Sequence, residues 1–406
     1  MTQRTIGDRI QCLREFRDLT QEQLAQRAGV SVDTIRKLEQ GQRHSARITT
    51  LRALARALDV ELHRLLGQAT VTQTLSDDGG LLALRDAIQD INALPGVLAD
   101  DQIEDPPAAD AWVGSVKDAT DLYWKGGYSE LSGTLPLLLR DGHAVARDAT
   151  GSAAERVWGQ LALAYQLAAC LATQAGHPDW AFAAVERQLA AAVRASDPLM
   201  EGMGVSTLSW VLLRQGRWEQ AQRVAERKAD ALEPPMRRAT PKQLAVYGNL
   251  LIAAATPAAR RDQRAEAKDL LNLAETAATR SGPVRAYGSA FSLVDVKTQQ
   301  VNVALAGRDT AEPETAIEVA GTIDVGSISR PVHSAAYRLD VAQARYQTGD
   351  GEGALEMLLE VEGDQPEWIR YQTLAAATVR EMLEAERRRS TPLRALAGRL
   401  GVDPAM

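Results

Sequence analysis

The sequence predicts an all-α protein in two parts, a five-helix N-terminal domain followed by an α-solenoid of stacked helix pairs. Three observations predict this class. Aromatic residues make up only 4% of the 406 residues and alanine is abundant, a composition that favours helices over sheets. No stretch shows the sustained period-two alternation of a half-buried strand. A tight turn followed by an alanine recurs at steps of roughly 40–50 residues, as expected of antiparallel helix pairs that stack side by side.

The N-terminal domain is predicted over residues 1–68 as five short helices. Thr20 and Ser31 are residue types that cap helix N-termini, and each precedes a run with helical periodicity. Gly29 and Gly41 follow these runs at the position where a left-handed glycine ends a helix. The five helices are expected over about residues 6–18, 20–28, 32–40, 49–58 and 61–66.

Residues 69–80 show no periodicity and are rich in residues typical of linkers, so the domain boundary is expected there. The remaining residues, 81–406, form the predicted repeat domain. A connecting helix is expected over residues 80–94 and the helix pairs over about residues 108–390. A short terminal helix over residues 392–400 is expected to cover the open end of the array.

A glycine turn and a following alanine mark the predicted repeats. Gly176 and Gly216 are 40 residues apart, and Ala181 and Ala221 follow them at equal distances. Glycine or aspartate permits the tight turn, and alanine is needed where the two helices approach closely. Further copies are expected at residues 126–131, 264–267, 307–316 and 349–354.

This pattern resembles tetratricopeptide repeats, although its steps exceed the usual 34 residues. The resemblance is carried by Trp158, Leu161, Tyr165, Gly176 and Ala181 in one copy and by Trp210, Leu213, Gly216, Ala221 and Ala225 in the next. It implies a concave surface lined by the first helix of each pair.

Charge is distributed unevenly between the two parts. Residues 1–68 hold 12 Lys/Arg and 8 Asp/Glu, a net +4, whereas the rest holds 34 and 45, a net −11. A basic head on an acidic body suggests a module that binds a polyanion, and a chance fluctuation in a short segment is the alternative.

Two cysteines exclude a disulfide framework, no apolar run reaches the length of a membrane span, and no secretory signal is recognised, so a cytoplasmic, nucleoid-associated location is expected.

The segment 20–41 is the strongest functional signal. It is expected to fold as a helix, a turn at Gly29 and a second helix, with Ala25 small because the second helix crosses it closely. The predicted buried positions are Leu24, Ala25, Val30, Ile35 and Leu38.

These residues resemble the helix-turn-helix of the XRE and phage-repressor family over about residues 5–66. The resemblance implies that Gln21 touches a phosphate and braces the recognition helix, which Ser31 opens. Val32 and Asp33 occupy the first positions of that helix, where family members read base edges. Thr34, Arg36 and Lys37 share its exposed face, and Arg43, His44 and Arg47 follow in a loop that grips the DNA backbone.

The chemistry of this face agrees with DNA recognition. Arg36 can present a bidentate fork to guanine, Lys37 can contact guanine or phosphate, and Val32 can pack on a thymine methyl. Asp33 departs from the family pattern, and it either accepts from cytosine or interacts with the helix N-terminus as a capping group. A solvated helix face is the alternative for the basic residues. A single such module implies a homodimer on half-sites roughly 34 Å apart.

The combination of this head with a helical-repeat body resembles the peptide-sensing regulators of Gram-positive bacteria, in which asparagines on the concave face hold a short peptide. The C-terminal segments resemble those of actinomycete regulators. The resemblance implies a small-molecule or peptide effector. The candidate ligand-binding residues, large polar or aromatic side chains on predicted first helices, are Asn249, Asn302, Tyr247, Tyr287, His333 and Tyr337. A core position is the alternative for the aromatic ones.

No phosphate-binding glycine loop, nucleophile elbow or metalloprotease motif occurs, and the five histidines lack metal-ligand spacing. We therefore expect no enzyme, no cofactor and no metal.

The sequence predicts a DNA-binding transcriptional regulator whose repeats sense an effector. The alternative is an interaction scaffold whose repeats bind a partner protein. Neither the operator, the effector nor the sign of regulation can be deduced from these residues.

Overall fold

The computed structural model describes residues 6–17, 19–42, 50, 53–54, 57–58, 79–91, 106–307, 311–385 and 391–402. The chain forms two compact units. The first comprises Met1–Thr74 and Gln372–Met406, and the second comprises Leu75–Tyr371. This division places residues 372–406 with the N-terminal unit, whereas the sequence analysis assigned them to the repeat domain. The last helix pair of the repeat array ends at Asp364, before this boundary.

The described helices are α1 (Ile6–Phe16), α2 (Gln21–Ala28), α3 (Val32–Glu39), α4 (Gly79–Ile88), α5 (Ala109–Lys125), α6 (Tyr128–Asp148), α7 (Gly151–Gln174), α8 (Pro178–Arg194), α9 (Pro198–Arg214), α10 (Trp218–Leu232), α11 (Pro241–Arg260), α12 (Arg264–Ser281), α13 (Leu293–Leu305), α14 (Pro313–Ala320), α15 (Pro331–Gln347), α16 (Gly351–Asp364), α17 (Pro366–Arg370), α18 (Thr373–Ala385) and α19 (Thr391–Arg399). Strands β1 (Val284–Ala286) and β2 (Ser289–Phe291) form an antiparallel hairpin between α12 and α13. None of the described helices combines the length and apolarity that a bilayer crossing requires.

In the first unit, local sequence determines where the helices begin and end. Thr20 forms a capping box with Gln23 at the start of α2, and Gly29 ends that helix with a φ of 65°. Ser31 caps α3. The core is built from apolar residues that these helices share with residues farther along the chain: Ile10, Leu13, Leu24, Ala25, Ile35, Leu38, Leu54 and Leu58.

The predicted elements of this unit are found where the structure describes them. Leu24, Ala25, Ile35 and Leu38 are buried as predicted, whereas Val30 is half-buried. Residues 50, 53, 54 and 57 are helical, within the predicted fourth helix, and the predicted fifth helix lies outside the described residues. Helix α4 begins at Gly79, so the last two residues of the predicted linker are helical.

In the second unit, helices α5–α16 form six consecutive antiparallel pairs, α5/α6, α7/α8, α9/α10, α11/α12, α13/α14 and α15/α16. A residue with positive φ lies in each turn within a pair: Gly126, Gly176, Gly216, Asp262, Gly307 and Gly349. The alanines that follow are completely buried: Ala181, Ala221, Ala267, Ala316 and Ala354. The predicted repeat pattern is thereby confirmed, with a left-handed aspartate in place of glycine at one turn.

The ends of the repeat array meet. Helix α15 of the sixth pair contacts α5 of the first pair. Nearby, the backbone N–H of Ser129 at the start of α6 donates to Glu367 Oε2 of α17 at 2.9 Å. The first helices of the six pairs therefore form a closed ring around a common interior.

The mostly helical fold class is confirmed, and the β-hairpin is an addition to it. Its register pairs Val284 with Phe291, Arg285 with Ala290 and Ala286 with Ser289. Strands of three residues are too short to produce a detectable alternation of apolar and polar residues, which is why the sequence does not predict them.

Candidate functional site

Helix α3 presents polar side chains along one exposed face. Its first turn is fixed by Ser31, whose Oγ accepts from the Thr34 backbone N–H at 3.2 Å and lies 2.8 Å from the Thr34 hydroxyl. Asp33, Arg36 and Lys37 are exposed. Val32 and Thr34 are half-buried.

A buried polar network lies beneath this face and ties the first three helices together. Arg14 of α1 donates from Nε and Nη2 to the two carboxylate oxygens of Glu39, at 2.7 and 2.8 Å. Gln21 at the start of α2 donates from Nε2 to Glu39 Oε2 at 2.7 Å. The Glu39 side chain, in the last turn of α3, is only 3% exposed. Because Glu39 accepts from both neighbouring helices, the network fixes the orientation of α3 against them.

Asp33 and Lys37 form an ion pair one turn apart on α3. The Lys37 ammonium lies 2.7 Å from Asp33 Oδ2, and both side chains are at least half exposed. The hydrogen bond from Lys37 lowers the pKa of the Asp33 carboxyl. Ser31 makes the side-chain cap of α3, and Asp33 lies in the first helical turn, where a negative charge is favourable.

Of the remaining candidate DNA contacts, Arg43, His44 and Arg47 lie outside the described residues.

In the repeat unit, two of the candidate ligand-binding aromatics are core residues. Tyr247 is 6% exposed and packs in the apolar cluster around Phe291. Tyr337 is 5% exposed, and its hydroxyl donates to the Ala320 carbonyl at 3.1 Å. Both aromatics therefore lie at core positions, the alternative that the sequence analysis left open.

The two candidate asparagines are occupied within the chain. Asn249 donates from Nδ2 to the Ala245 carbonyl of its own helix at 2.9 Å. Asn302 of α13 donates from Nδ2 to both carboxylate oxygens of Asp340 on α15, at 3.2 and 3.1 Å. Burial raises the pKa of the Asp340 carboxyl to about 7.

The last two candidates lie close to the hairpin. Tyr287 forms its tip with a φ of 53°, and its hydroxyl lies 3.4 Å from Asp197 Oδ1. His333 of α15 has Nδ1 3.6 Å from Asp295 Oδ1, and its ring meets the Trp124 ring edge-on at 4.4 Å.

Three interior side chains that the sequence analysis did not select hold the hairpin tip. Trp124 Nε1 and Arg330 Nη1 both donate to the Gly288 carbonyl, at 2.9 and 3.1 Å. Gln166 Nε2 donates to the Tyr287 carbonyl at 3.4 Å. Within the described residues, no group of three His, Cys, Asp or Glu side chains is arranged to hold a metal ion.

Comparison with known proteins identifies the N-terminal part. Residues 13–65 match a family model described as helix-turn-helix. The N-terminal domain is a helix-turn-helix domain. Over 67 residues the chain is 36% identical to the immunity repressor protein of Bacillus phage phi105, a match that covers 16% of this chain and 46% of the repressor. The chain thus spans about half the length of this curated relative.

The chain is also similar to a solved structure, that of Bacillus thuringiensis PlcR in complex with the peptide PapR7 and DNA. The similarity covers 86% of this chain and 98% of that chain, at 10% sequence identity and a TM-score of 0.34.

Within the helix-turn-helix domain, Gln21 donates a hydrogen bond to Glu39 of α3 and in this way braces that helix. The matched family model agrees with the helix-turn-helix that the sequence analysis predicted in this part of the chain. The residues that the sequence analysis missed are Arg14 and Glu39. They are 25 residues apart in the chain, and neither has a spacing that would single it out. The only signal for this pair in the sequence was a charged residue on the inward side of each of two neighbouring helices.

Proposed function

We propose that this protein is a transcriptional regulator that binds operator DNA through the exposed face of α3. The observation that carries the proposal is the pairing of this face with the buried Arg14–Glu39–Gln21 network beneath it. A recognition helix must be held rigidly if its side chains are to reach base edges in register, and this network supplies that support.

The side chains of α3 suit the major groove. Arg36 is exposed and provides the planar donor pair that matches O6 and N7 of guanine. Lys37 provides a positive charge for phosphate or guanine once it separates from Asp33. Val32 provides an apolar contact for a thymine methyl. In this proposal Gln21, Ser31 and Thr34 position the helix, and Arg43 and Arg47 contact the DNA backbone.

The functional unit in this proposal is a homodimer, because one helix-turn-helix reads only a few base pairs. Two copies related by a two-fold axis would read half-sites one helical turn, about 34 Å, apart. The repeat unit serves as the sensory part, in which an effector changes the population of two arrangements of the dimer. A cytoplasmic location at the nucleoid follows from this role.

The test is a salt-dependent mobility-shift assay on a site selected from random DNA by the purified full chain. We expect the Arg36→Ala/Lys37→Ala variant to lose specific binding and to retain a weaker, sequence-independent binding. The matched control is Arg223→Ala/Arg227→Ala, which removes two exposed arginines from α10 of the repeat unit and should leave the affinity unchanged. An unaltered sequence preference in the α3 variant would exclude α3 as the reading element. The symmetry of the selected site, together with sedimentation of the complex, tests the dimer.

A further inference from the structure

The β-hairpin over residues 284–291 lies in the interior that the first helices of the repeat pairs surround. Its contacts involve an element from every pair, and each is a first helix or the residue that begins one. They are Trp124 of α5, Gln166 of α7, Asp197 at the start of α9, Gly248 of α11, helix α13 through β2, and Arg330 at the start of α15. The hairpin therefore occupies part of the surface on which the sequence analysis expected an effector.

The tip of the hairpin is held by its backbone carbonyls. The Gly288 oxygen accepts from Trp124 Nε1 and Arg330 Nη1, and the Tyr287 oxygen accepts from Gln166 Nε2. These donors come from elements separated from the hairpin by 164, 42 and 121 residues. Recognition of main-chain oxygens by side chains of a surrounding groove is how a protein binds an extended ligand, and here the ligand is a segment of the same chain.

Aromatic and charged groups stiffen this carbonyl site. The Arg330 guanidinium lies over the Trp124 ring, 4.1 Å from its centroid, and the His333 ring meets the Trp124 ring edge-on. The Tyr287 ring packs at the edge of an apolar cluster that includes Met200. Contacts among Trp124, Arg330 and His333 thus hold two of the three donors in place without the hairpin.

The root and the tip of the hairpin are held differently. At the root, Phe291 is 1% exposed, and its ring packs so closely on Gly248 that a Cβ there would overlap it. At the tip, Tyr287 has a left-handed backbone, which is unfavourable for a bulky residue. An isolated two-stranded hairpin of three-residue strands is only marginally stable. The tip therefore depends on its hydrogen bonds to Trp124, Gln166 and Arg330, whereas the root remains anchored without them.

We propose that Trp124, Gln166 and Arg330 form a carbonyl-binding site that the chain fills reversibly with its own hairpin tip, which thereby acts as a tethered competitor of the effector. With the tip bound, the first, second and sixth pairs are linked through one small segment. Release of the tip removes that link and exposes the donors to another compound with carbonyl groups. The binding of the hairpin tip at this site does not depend on the proposed function. Only its consequence for DNA binding rests on the proposed sensory role of the repeat unit.

The first experiment measures hydrogen exchange of the hairpin amides in the full-length protein without DNA. Trp124→Phe keeps an aromatic ring and removes the donor to Gly288. The matched control is Trp112→Phe, because Trp112 Nε1 also donates to a carbonyl, that of Leu138 at 3.0 Å, at a distance from the hairpin. We expect exchange at residues 284–291 to accelerate about tenfold in Trp124→Phe relative to Trp112→Phe.

Trypsin provides a second measurement, because Arg285 lies in β1 with an exposed side chain. Cleavage after Arg285 should accelerate in parallel with exchange. Equal exchange and equal cleavage in the two tryptophan variants would overturn the proposal, because the tip would then not depend on this donor.

The second experiment supplies the hairpin in trans as a blocked, labelled peptide of residues 284–291. Tyr287→Asn weakens the tethered tip because it removes the aromatic contact. Asparagine tolerates the left-handed backbone, so the turn itself is preserved. We expect the peptide to bind this variant at least tenfold more tightly than wild type. Binding should be lost again when Trp124→Phe and Arg330→Lys are added to Tyr287→Asn. A peptide with alanine in place of the tyrosine is the control.

Equal affinity for wild type and Tyr287→Asn, or binding that does not depend on Trp124 and Arg330, would show that the hairpin tip does not compete reversibly for this site. Both experiments are done without DNA. A failure of operator binding would therefore leave their results standing, and their failure would leave the DNA-binding proposal intact.

Discussion

The two candidate surfaces of this protein treat their polar side chains in opposite ways. On α3, Arg36 and Lys37 extend into solvent, and the polar network that supports them lies underneath and is fully paired. In the repeat interior, Trp124 and Arg330 point inward, and their partner is a carbonyl of the same chain. The first arrangement is that of a surface prepared for an external partner, and the second is that of a site already filled.

This difference shows where each surface can be altered. On α3 the exposed residues can be exchanged without loss of the fold, while the buried network cannot. In the repeat interior the donors and the hairpin stabilise each other, so that a change in either alters how often the site is free. The predictions below test the two surfaces separately, beginning with the largest expected effect.

The largest effect is expected at Glu39. Glu39→Gln removes the buried carboxylate that pairs with Arg14 and leaves its guanidinium with the exposed Glu15 as its ion-pair partner. Breaking a buried pair in this way costs about 3–5 kcal/mol. We expect the helix-turn-helix domain to unfold at markedly lower urea concentration, as measured by amide exchange of α1–α3, and operator binding to decrease with it.

The chain offers a matched control in Glu15→Gln. Glu15 also lies within ion-pair distance of Arg14, at 3.6 Å, but its side chain is 54% exposed. An exposed pair of this kind contributes about 0–1 kcal/mol. If both substitutions changed stability equally, burial of Glu39 would not be the reason for its importance.

The second effect depends on pH and lies in the repeat unit. Burial raises the pKa of Asp340 from 3.8 to about 7, so between about pH 4 and pH 7 the folded protein holds a proton that the unfolded chain releases. The contribution of Asp340 to the free energy of unfolding therefore falls as pH rises through this window, by at most about 1.4 kcal/mol per pH unit.

Asp340→Asn removes this dependence and keeps an oxygen that can accept from Asn302. We expect the variant to be more stable than wild type at pH 8, with a smaller advantage at pH 5, in urea unfolding at both values. Asp269→Asn, an exposed carboxylate on α12, is the control and should show no such difference. An Asp340 variant whose advantage is independent of pH would contradict the raised pKa.

The third effect concerns the root of the hairpin. A Cβ at Gly248 would overlap the Phe291 ring, so Gly248→Ala forces the ring or the helix to move. Overpacking of this kind costs about 1–3 kcal/mol. Gly133→Ala is the control, because Gly133 lies on an exposed position of α6 with open space around it, where alanine should stabilise the helix. Thermal unfolding of both variants measures the difference.

The sequence predicts those parts of the structure that depend on residues close together in the chain. The turn at Gly176 and the buried Ala181 are one short motif, and its recurrence identifies the helix pairs. The caps at Thr20 and Ser31 likewise use donors only three residues away. The helix-turn-helix is a further case, because its pattern of buried and exposed residues is contained within two adjacent helices.

The sequence does not predict contacts between distant residues. Trp124 meets Gly288 only because the array closes on itself, and 164 residues separate the two. For the same reason, periodicity cannot distinguish an aromatic that lines an interior from one that is packed in a core. Tyr247 and Tyr337 were selected as lining residues and are buried, while Tyr287 belongs to the hairpin and not to the wall around it.

The smallest effect on stability, and the most informative one for α3, is expected at Asp33. Asp33→Asn frees Lys37 from its ion pair and removes a negative charge that opposes phosphate. The thermal midpoint should not change measurably, because both side chains are solvated. The dependence of log affinity on log salt for non-specific DNA should steepen by about one unit, since one further cation becomes available to phosphate.

The same variant distinguishes the two remaining roles of Asp33. If its carboxylate only holds Lys37, Asp33→Asn increases affinity for all sequences and leaves the selected site unchanged. If the carboxylate accepts a hydrogen bond from a cytosine amino group, the preference at one position of the site changes as well. Asp269→Asn, an exposed carboxylate of the repeat unit, should alter neither the slope nor the site. A slope identical to that of wild type would mean that Lys37 stays away from phosphate even when its partner is removed.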